Sequence, residues 1–169
     1  MPRTKQSGKQ QKNSAGTGFG NSKLSPKLNS RFDDFVKDLK GKRISNSNLR
    51  FEVFSILDDA GTGVGSGGVK EGEFYFFEYD PKWKSILKQW DRYPLIKVIE
   101  VKGNILGANL HYISPKERLG VLNNKNRSIP GKTLHYYIPR NRETNFYRLT
   151  EQDAVVLSQL PLEKFYRNR

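Results

Sequence analysis

No cysteine occurs among the 169 residues, and there are only two histidines. The missing thiols exclude disulfides, thiolate zinc sites, iron–sulfur clusters and cysteine nucleophiles together. Two histidines are too few for most histidine-built metal sites, so no metal or cofactor is expected. No run approaches the roughly 18 apolar residues that span a bilayer, so no membrane partner is expected. The basic N-terminus has no apolar segment behind it, so no secretory signal is expected either. Acidic residues are scarce: 17 Asp and Glu stand against 30 Lys and Arg, a net charge of +13. The pI is about 9.9 and the mean hydropathy −0.75. Such basicity suggests a polyanionic partner, usually nucleic acid. The length suits one ordinary domain with a real core, and not comfortably two.

The charge is uneven. Residues 1–50 carry a net +9, residues 51–100 a net −3, residues 101–150 a net +7, and the remainder is neutral. The most biased segment, residues 1–28, holds Arg3, Lys5, Lys9, Lys12, Lys23 and Lys27 with no Asp or Glu, and Phe19 is its single aromatic. Such a composition buries too little apolar surface to offset its ordering entropy. Residues 1–28 therefore read as a disordered or extended basic arm that meets DNA or an acidic protein surface. Residues 29–169 read as a single small β-rich domain.

Within that domain, Phe32, Phe35, Val36 and Leu39 predict an amphipathic helix over about 30–41. Arg50–Leu57 alternates Phe51, Val53, Ser55 and Leu57 and predicts a strand. Gly61–Gly68 predicts a flexible loop. The aromatic run Glu73–Tyr79 predicts a strand, and Trp83, Ile86, Leu87 and Trp90 predict one or two helical turns. Leu95–Val101 and Ile105–Ile113 predict a hairpin about the Lys102-Gly103-Asn104 turn. Ser114-Pro115-Lys116-Glu117 opens a short helix, strands follow at Thr133–Ile138 and Asn145–Leu149, and Thr150–Asp153 caps a last helix. Phe165–Arg169 reads as a docking tail. The fold class is mainly β, a small antiparallel barrel or sheet with short helices at its corners.

Several motifs bear on chemistry. Gly63-x-Gly65-x-x-Gly68 matches the dinucleotide fingerprint in letters, but a strand follows where a phosphate-holding helix is required, so it reads as a hairpin loop. Glu100-Val101-Lys102 looks like half of a metal-dependent nuclease site, with Asp80 or Asp91 as the first carboxylate. That alternative conflicts with the turn leading straight into another strand. His111 and His135 lie between large apolar residues and read as partly buried histidines hydrogen-bonded to backbone rather than as a ligand or a base. The second basic region interleaves Lys116, Arg118, Lys125, Arg127, Lys132, Arg140, Arg142 and Arg148 with Tyr112, Tyr136, Tyr137, Phe146 and Tyr147. Cations neutralise phosphates while aromatics stack on bases or seat an interface. Lys125, Arg127, Lys132, Arg140 and Arg142, with the six arm cations, are the candidate contacts to nucleic acid or a partner.

Three segments, Gly72–Lys82 (with Tyr79-Asp80-Pro81-Lys82), Asp91–Ile96 and Leu106–Ile113, follow one another in a pattern that resembles the DNA end protector proteins of T-even-type contractile-tailed phages. Leu160–Phe165 matches a further segment, so the resemblance covers about residues 72–166. Leu87-Lys88-Gln89-Trp90 departs from the family's usual Leu-Pro-Tyr-Tyr. The resemblance implies a virion protein, made in the host cytoplasm, that shields the packaged DNA end. It implies no catalytic residue. The expected partners are duplex DNA and portal, neck or tail proteins, in multiple copies of a symmetric assembly. A purely architectural neck, baseplate or connector role without DNA contact is the alternative. The motif residues Tyr79, Asp80, Pro81, Asp91, Pro94, Gly107, Asn109, His111 and Tyr112 read as structural: Asp bonds its own backbone, Pro fixes φ, and Asn109 and His111 share a strand face.

Overall fold

The computed structural model describes Asp34, Lys37 and residues 46–123, 129–158 and 164–166. The expected arm, and most of the expected 30–41 helix, lie outside these residues. Asp34 and Lys37 are helical and pair at 3.6 Å.

The architecture is mainly antiparallel sheet with short helices. Among the described residues eight strands run β1 (Gly63–Val64), β2 (Phe74–Phe76), β3 (Gln89–Asp91), β4 (Leu95–Lys102), β5 (Asn104–Asn109), β6 (Leu134–Tyr137), β7 (Phe146–Leu149) and β8 (Lys164–Tyr166). Six form one sheet in the order β1-β7-β2-β4-β5-β6, every pairing antiparallel, and β3 pairs with β8 in a separate ribbon. Because β1 and β6 do not pair, the sheet stays open rather than closing into a barrel. Among the residues described continuously, three helices join it: α1 (Asn46–Asp59), α2 (Pro115–Asn123) and α3 (Glu151–Leu157).

The sheet is buried on both faces, which explains why β2 is aromatic at every position instead of alternating with polar residues. Phe74, Phe76, Leu95 and Tyr147 point to one face, where they pack with Val53, Ile56 and Leu57 of α1, Val121 and Leu122 of α2, and Ala154 and Leu157 of α3. Tyr75, Ile96, Val98, Ile105 and Phe146 point to the other face, where Val69, Phe77, Tyr79 and Tyr137 cover them.

Arg50–Leu57 is helical, not a strand. The expected alternation had apolar residues on both sides, since Phe54 and Ile56 interrupt the polar row. The spacing that the fold uses is Leu49, Val53, Ile56 and Leu57, one helical stripe, with Phe51 and Glu52 left exposed. Trp83–Trp90 also differs: only turns occupy residues 82–86, and Gln89–Asp91 is a strand with Trp90 opposite Phe165. The expected loop at Gly61–Gly68 carries the edge strand β1 and a 3-10 turn over Ser66–Gly68. The expected strand to Ile113 stops at Asn109 and passes into a 3-10 turn over Leu110–Tyr112. The expected Glu73–Tyr79 strand is shortened to Phe74–Phe76, the β4–β5 hairpin turns at Gly103, with φ 71, Thr150 and Asp153 form a reciprocal capping box on α3, and residues 167–169 of the expected docking tail lie outside the described residues.

The double burial has an alkaline consequence. Burial, with a hydrogen bond to Glu73, pushes the Tyr75 hydroxyl up to about 12. Burial, with a bond to Asp58 at 2.6 Å, pushes Tyr147 up to about 12 as well. Free tyrosine titrates near 10, so the unfolded chain releases these protons first and is favoured as the pH rises. The stability they contribute is complete below pH ~10 and is lost as the pH passes through ~12. Unfolding followed by circular dichroism should therefore coincide with tyrosinate absorbance in that window. Tyr147→Phe should flatten the dependence. Full stability at pH ~12 would contradict this account.

Candidate nucleic-acid interface

Three of the motif residues, Asp91, Asn109 and His111, converge on one buried network. Asp91 begins the turn between β3 and β4, and its Oδ1 accepts the backbone N–H of Tyr93 at 3.1 Å. Its Oδ2 accepts Asn109 Nδ2 at 2.9 Å and lies 2.8 Å from His111 Nδ1. A carboxylate only accepts, so the imidazole donates from Nδ1. Asn109 Oδ1 in turn accepts the backbone N–H of His111 at 2.9 Å, capping the 3-10 turn. All three side chains are buried, and His111 Nε2 has no hydrogen-bond partner among the described residues. The turn chemistry expected of Asp91 is present. The histidine meets a carboxylate rather than backbone, and a turn, not a shared strand face, brings it beside Asn109.

Gly107 belongs to the same construction. β4 carries one extra residue between Val98 and Glu100, and Gly107 lies opposite Val98. A Cβ at Gly107 would lie 2.8 Å from Ile96 Cδ1 and 3.3 Å from the Tyr137 ring. Glycine thus lets Tyr137 of β6 settle over β5. Tyr137 also touches Asn109 and Tyr79, the Tyr79 ring at 5.1 Å, and burial beside Asp91 holds its hydroxyl well above the usual tyrosine range.

Tyr79, Asp80, Pro81 and Lys82 then set the neighbouring segment. The Tyr79 hydroxyl accepts the N–H of Ile138 at 3.3 Å, Arg140 N–H donates to the Asp80 carbonyl at 2.7 Å, and Lys82 N–H donates to the Ile138 carbonyl at 2.9 Å. Pro81 bridges Pro139. This crossing brings Lys82 beside Arg140 and Arg142 in an open groove of about 420 Å³. Tyr137 lies in it, the Gly103-Asn104 turn and Gly67 form further walls, and no carboxylate lines it.

The basic region expected from residues 116–148 is therefore split. Arg140 and Arg142 share the groove, and both are exposed. Lys132 is exposed in the turn before β6 and does not line it. Arg118 is tied to the carbonyls of Ile113, Ser158 and His111, and Arg148 is paired with Glu73. Phe146, Tyr147 and Tyr137 are core, while Tyr136 is 63% exposed. Lys125 and Arg127, like Arg3, Lys5, Lys9, Lys12, Lys23 and Lys27, lie outside the described residues. Pro94 is buried ahead of β4, and Tyr112 packs against His135 with ring centroids 5.2 Å apart. His135, expected to be partly buried, is instead exposed on β6; partial desolvation of its ring lowers its pKa, and Asp91 partly opposes this.

Lys82 is the site residue that sequence reading missed. It lies in the acidic middle of the chain, and only pairing across the 138–140 segment brings it to the arginines.

The nuclease alternative finds its groups otherwise engaged. Glu100 pairs with Lys102 at 3.3 Å, Asp80 pairs with Lys84, and Asp91 is bound within the core network. Among the described residues no three His, Asp or Glu side chains are grouped to hold a metal ion. Among them, too, no helix is long and apolar enough to cross a membrane.

No curated protein and no solved structure matches the chain. A family model does match, starting before the resembling motifs and ending ahead of Tyr137, Arg140 and the C-terminal Leu160–Phe165. Residues 60–133, which contain Tyr79–Lys82, Asp91–Ile96 and the Gly107–Tyr112 stretch, match the family described as phage T4 terminal DNA protecting protein.

Proposed function

We propose that this protein is a non-enzymatic phage virion component that binds the ends of duplex DNA and shields them, seated among portal, neck or tail proteins. The match of residues 60–133 to a terminal DNA protecting family carries this reading. The unpaired cations of the groove and the basic composition of residues 1–28 support it, because phosphate neutralisation supplies most non-specific affinity for DNA. A virion location and a multi-copy assembly follow from the same reading.

The test is exonuclease protection. Linear duplex incubated with the full chain should resist a double-strand exonuclease, and a covalently closed circle should compete weakly for the protein. Binding should fall steeply with salt. No detectable affinity for linear DNA at ~50 mM salt would end the DNA-contact reading and leave an architectural clamp between virion proteins. Degradation of the DNA by the protein itself with Mg²⁺ or Mn²⁺ would end the non-enzymatic one.

A further inference from the structure

We infer that the groove between Lys82, Arg140 and Arg142 is a seat for the terminal phosphate of a DNA strand, and so distinguishes a strand end from continuous duplex. The inference rests on the end-binding reading and adds the site that would recognise the end.

The charge balance at the groove is the first argument. Of the nearby carboxylates, Asp80 pairs with Lys84, Glu78 with Arg92 and Glu100 with Lys102, and Glu143, beside Arg142 in the chain, does not line the groove. Lys82, Arg140 and Arg142 form no ion pair among the described residues, and no acidic side chain lines the groove. Three cations held together without counter-charge repel one another, and an anion relieves that repulsion.

The second argument is the geometry that holds them. Lys82 and Arg140 come from segments fixed by backbone hydrogen bonds across Lys82–Ile138 and Asp80–Arg140, next to the packed Tyr79 and Tyr137 rings, and Arg142 follows in the turn that Asn141 closes onto Glu143 and Thr144. Asn104 and Asn141 add neutral polar groups at the wall, and arginine forks suit bidentate contact with phosphate oxygens.

Shape and valence select a terminus. A volume of about 420 Å³ falls in the range of small-ligand pockets and suits a nucleotide-sized group. The backbone of an uninterrupted duplex is convex and passes over such a rim, whereas a strand end can enter it. An internal phosphodiester carries one negative charge. A terminal phosphomonoester carries about −1.5 to −2 at pH 7, since its second pKa is near 6. Three cations therefore discriminate most strongly in favour of the terminal group.

The test uses the full chain and one blunt ~30-base-pair duplex prepared with 5′-phosphate, with 3′-phosphate, or with hydroxyls at all ends. A closed circle is the fourth arm. The preferred phosphorylated end should bind about tenfold tighter than the hydroxyl form, since charge-assisted contacts to phosphate are among the stronger hydrogen bonds. Which phosphorylated form wins identifies the strand terminus that enters. The ratio should shrink as the pH falls below ~6 and the phosphate takes up its second proton.

In the Lys82→Gln/Arg140→Gln/Arg142→Gln variant the ratio should collapse to about one, with an unchanged melting temperature because all three side chains are exposed. Lys88→Gln, an exposed lysine away from the groove, should keep the ratio. Equal binding of phosphorylated and hydroxyl ends overturns the inference, while end protection survives if linear DNA still outcompetes the circle. A triple variant that keeps the ratio overturns the assignment to this groove. Equal loss on linear and circular DNA shows internal phosphate contact and overturns the terminal seat. Failure to bind any DNA removes the inference and the end-protecting reading together.

Discussion

Asp91→Ala should destabilise the fold by about 3–5 kcal/mol, because it strips the acceptor from several donors at about 1–3 kcal/mol for each one left buried and unsatisfied. The carboxylate serves three groups: the Tyr93 N–H, Asn109 Nδ2 and His111 Nδ1. Truncation leaves the buried Asn109 and His111 donors, and the part-buried Tyr93 N–H, without their acceptor. A single domain has only about 5–15 kcal/mol of stability, so this variant should be largely unfolded or close to it at physiological temperature. Urea titration followed by tryptophan fluorescence reads the effect directly, with Trp90 adjacent to the site in sequence. Asp91→Asn keeps an acceptor for Tyr93 and should cost less, about 1–3 kcal/mol. Coupling decides whether the network acts as a unit. Asp91→Leu combined with His111→Phe should cost less than the two single changes added together, because the pair then leaves with both partners. Strict additivity would show that the two side chains contribute independently.

The effect on function should be indirect and separable. Asn109 links the network to Tyr137, and Tyr137 lines the groove. A folded Asp91→Asn protein should therefore retain salt-dependent DNA binding while losing part of any preference for strand ends.

Much of the fold was legible because strand signals here are strong. β4, β5, β6 and β7 are rich in β-branched and aromatic residues bounded by turns, and those turn signals gave the hairpin about Gly103. α1 was not legible, because Phe51, Val53, Ser55 and Leu57 imitate strand spacing while the true stripe begins at Leu49. The β3–β8 ribbon was hidden for a different reason. Three-residue strands carry little periodicity, and Trp83, Ile86, Leu87 and Trp90 fall by chance at helical spacing. The candidate site shows the same division. Arg140 and Arg142 stand out in a basic stretch, and the motif residues stand out by resemblance. The commitment of Arg118 and Arg148 to core partners, and the arrival of Lys82, depend on pairings between residues as much as 75 apart in the chain.

Replacing Arg3, Lys5, Lys9, Lys12, Lys23 and Lys27 with glutamine should produce the largest loss of DNA affinity. Each phosphate contact on duplex DNA contributes about −0.9 to the slope of log affinity against log salt. Six contacts therefore account for a slope of about −5, and for roughly a thousandfold in affinity between 50 and 200 mM salt. The substituted full chain should show a shallower slope by about that amount and should bind weakly even at ~50 mM salt. Its thermal unfolding should be nearly unchanged, and so should that of a chain lacking residues 1–28. These 28 residues carry one aromatic and almost no aliphatic surface to place in a core. The salt slope separates the two partners that attract such a segment. If the arm meets acidic protein surfaces in the virion, substitution should leave the DNA slope where it was and impair virion incorporation instead. An unchanged slope with normal incorporation would show that residues 1–28 serve neither partner. Together with the groove variants, the experiment assigns affinity to the arm and end preference to the fold, since one changes the salt slope and the other changes the ratio between strand ends.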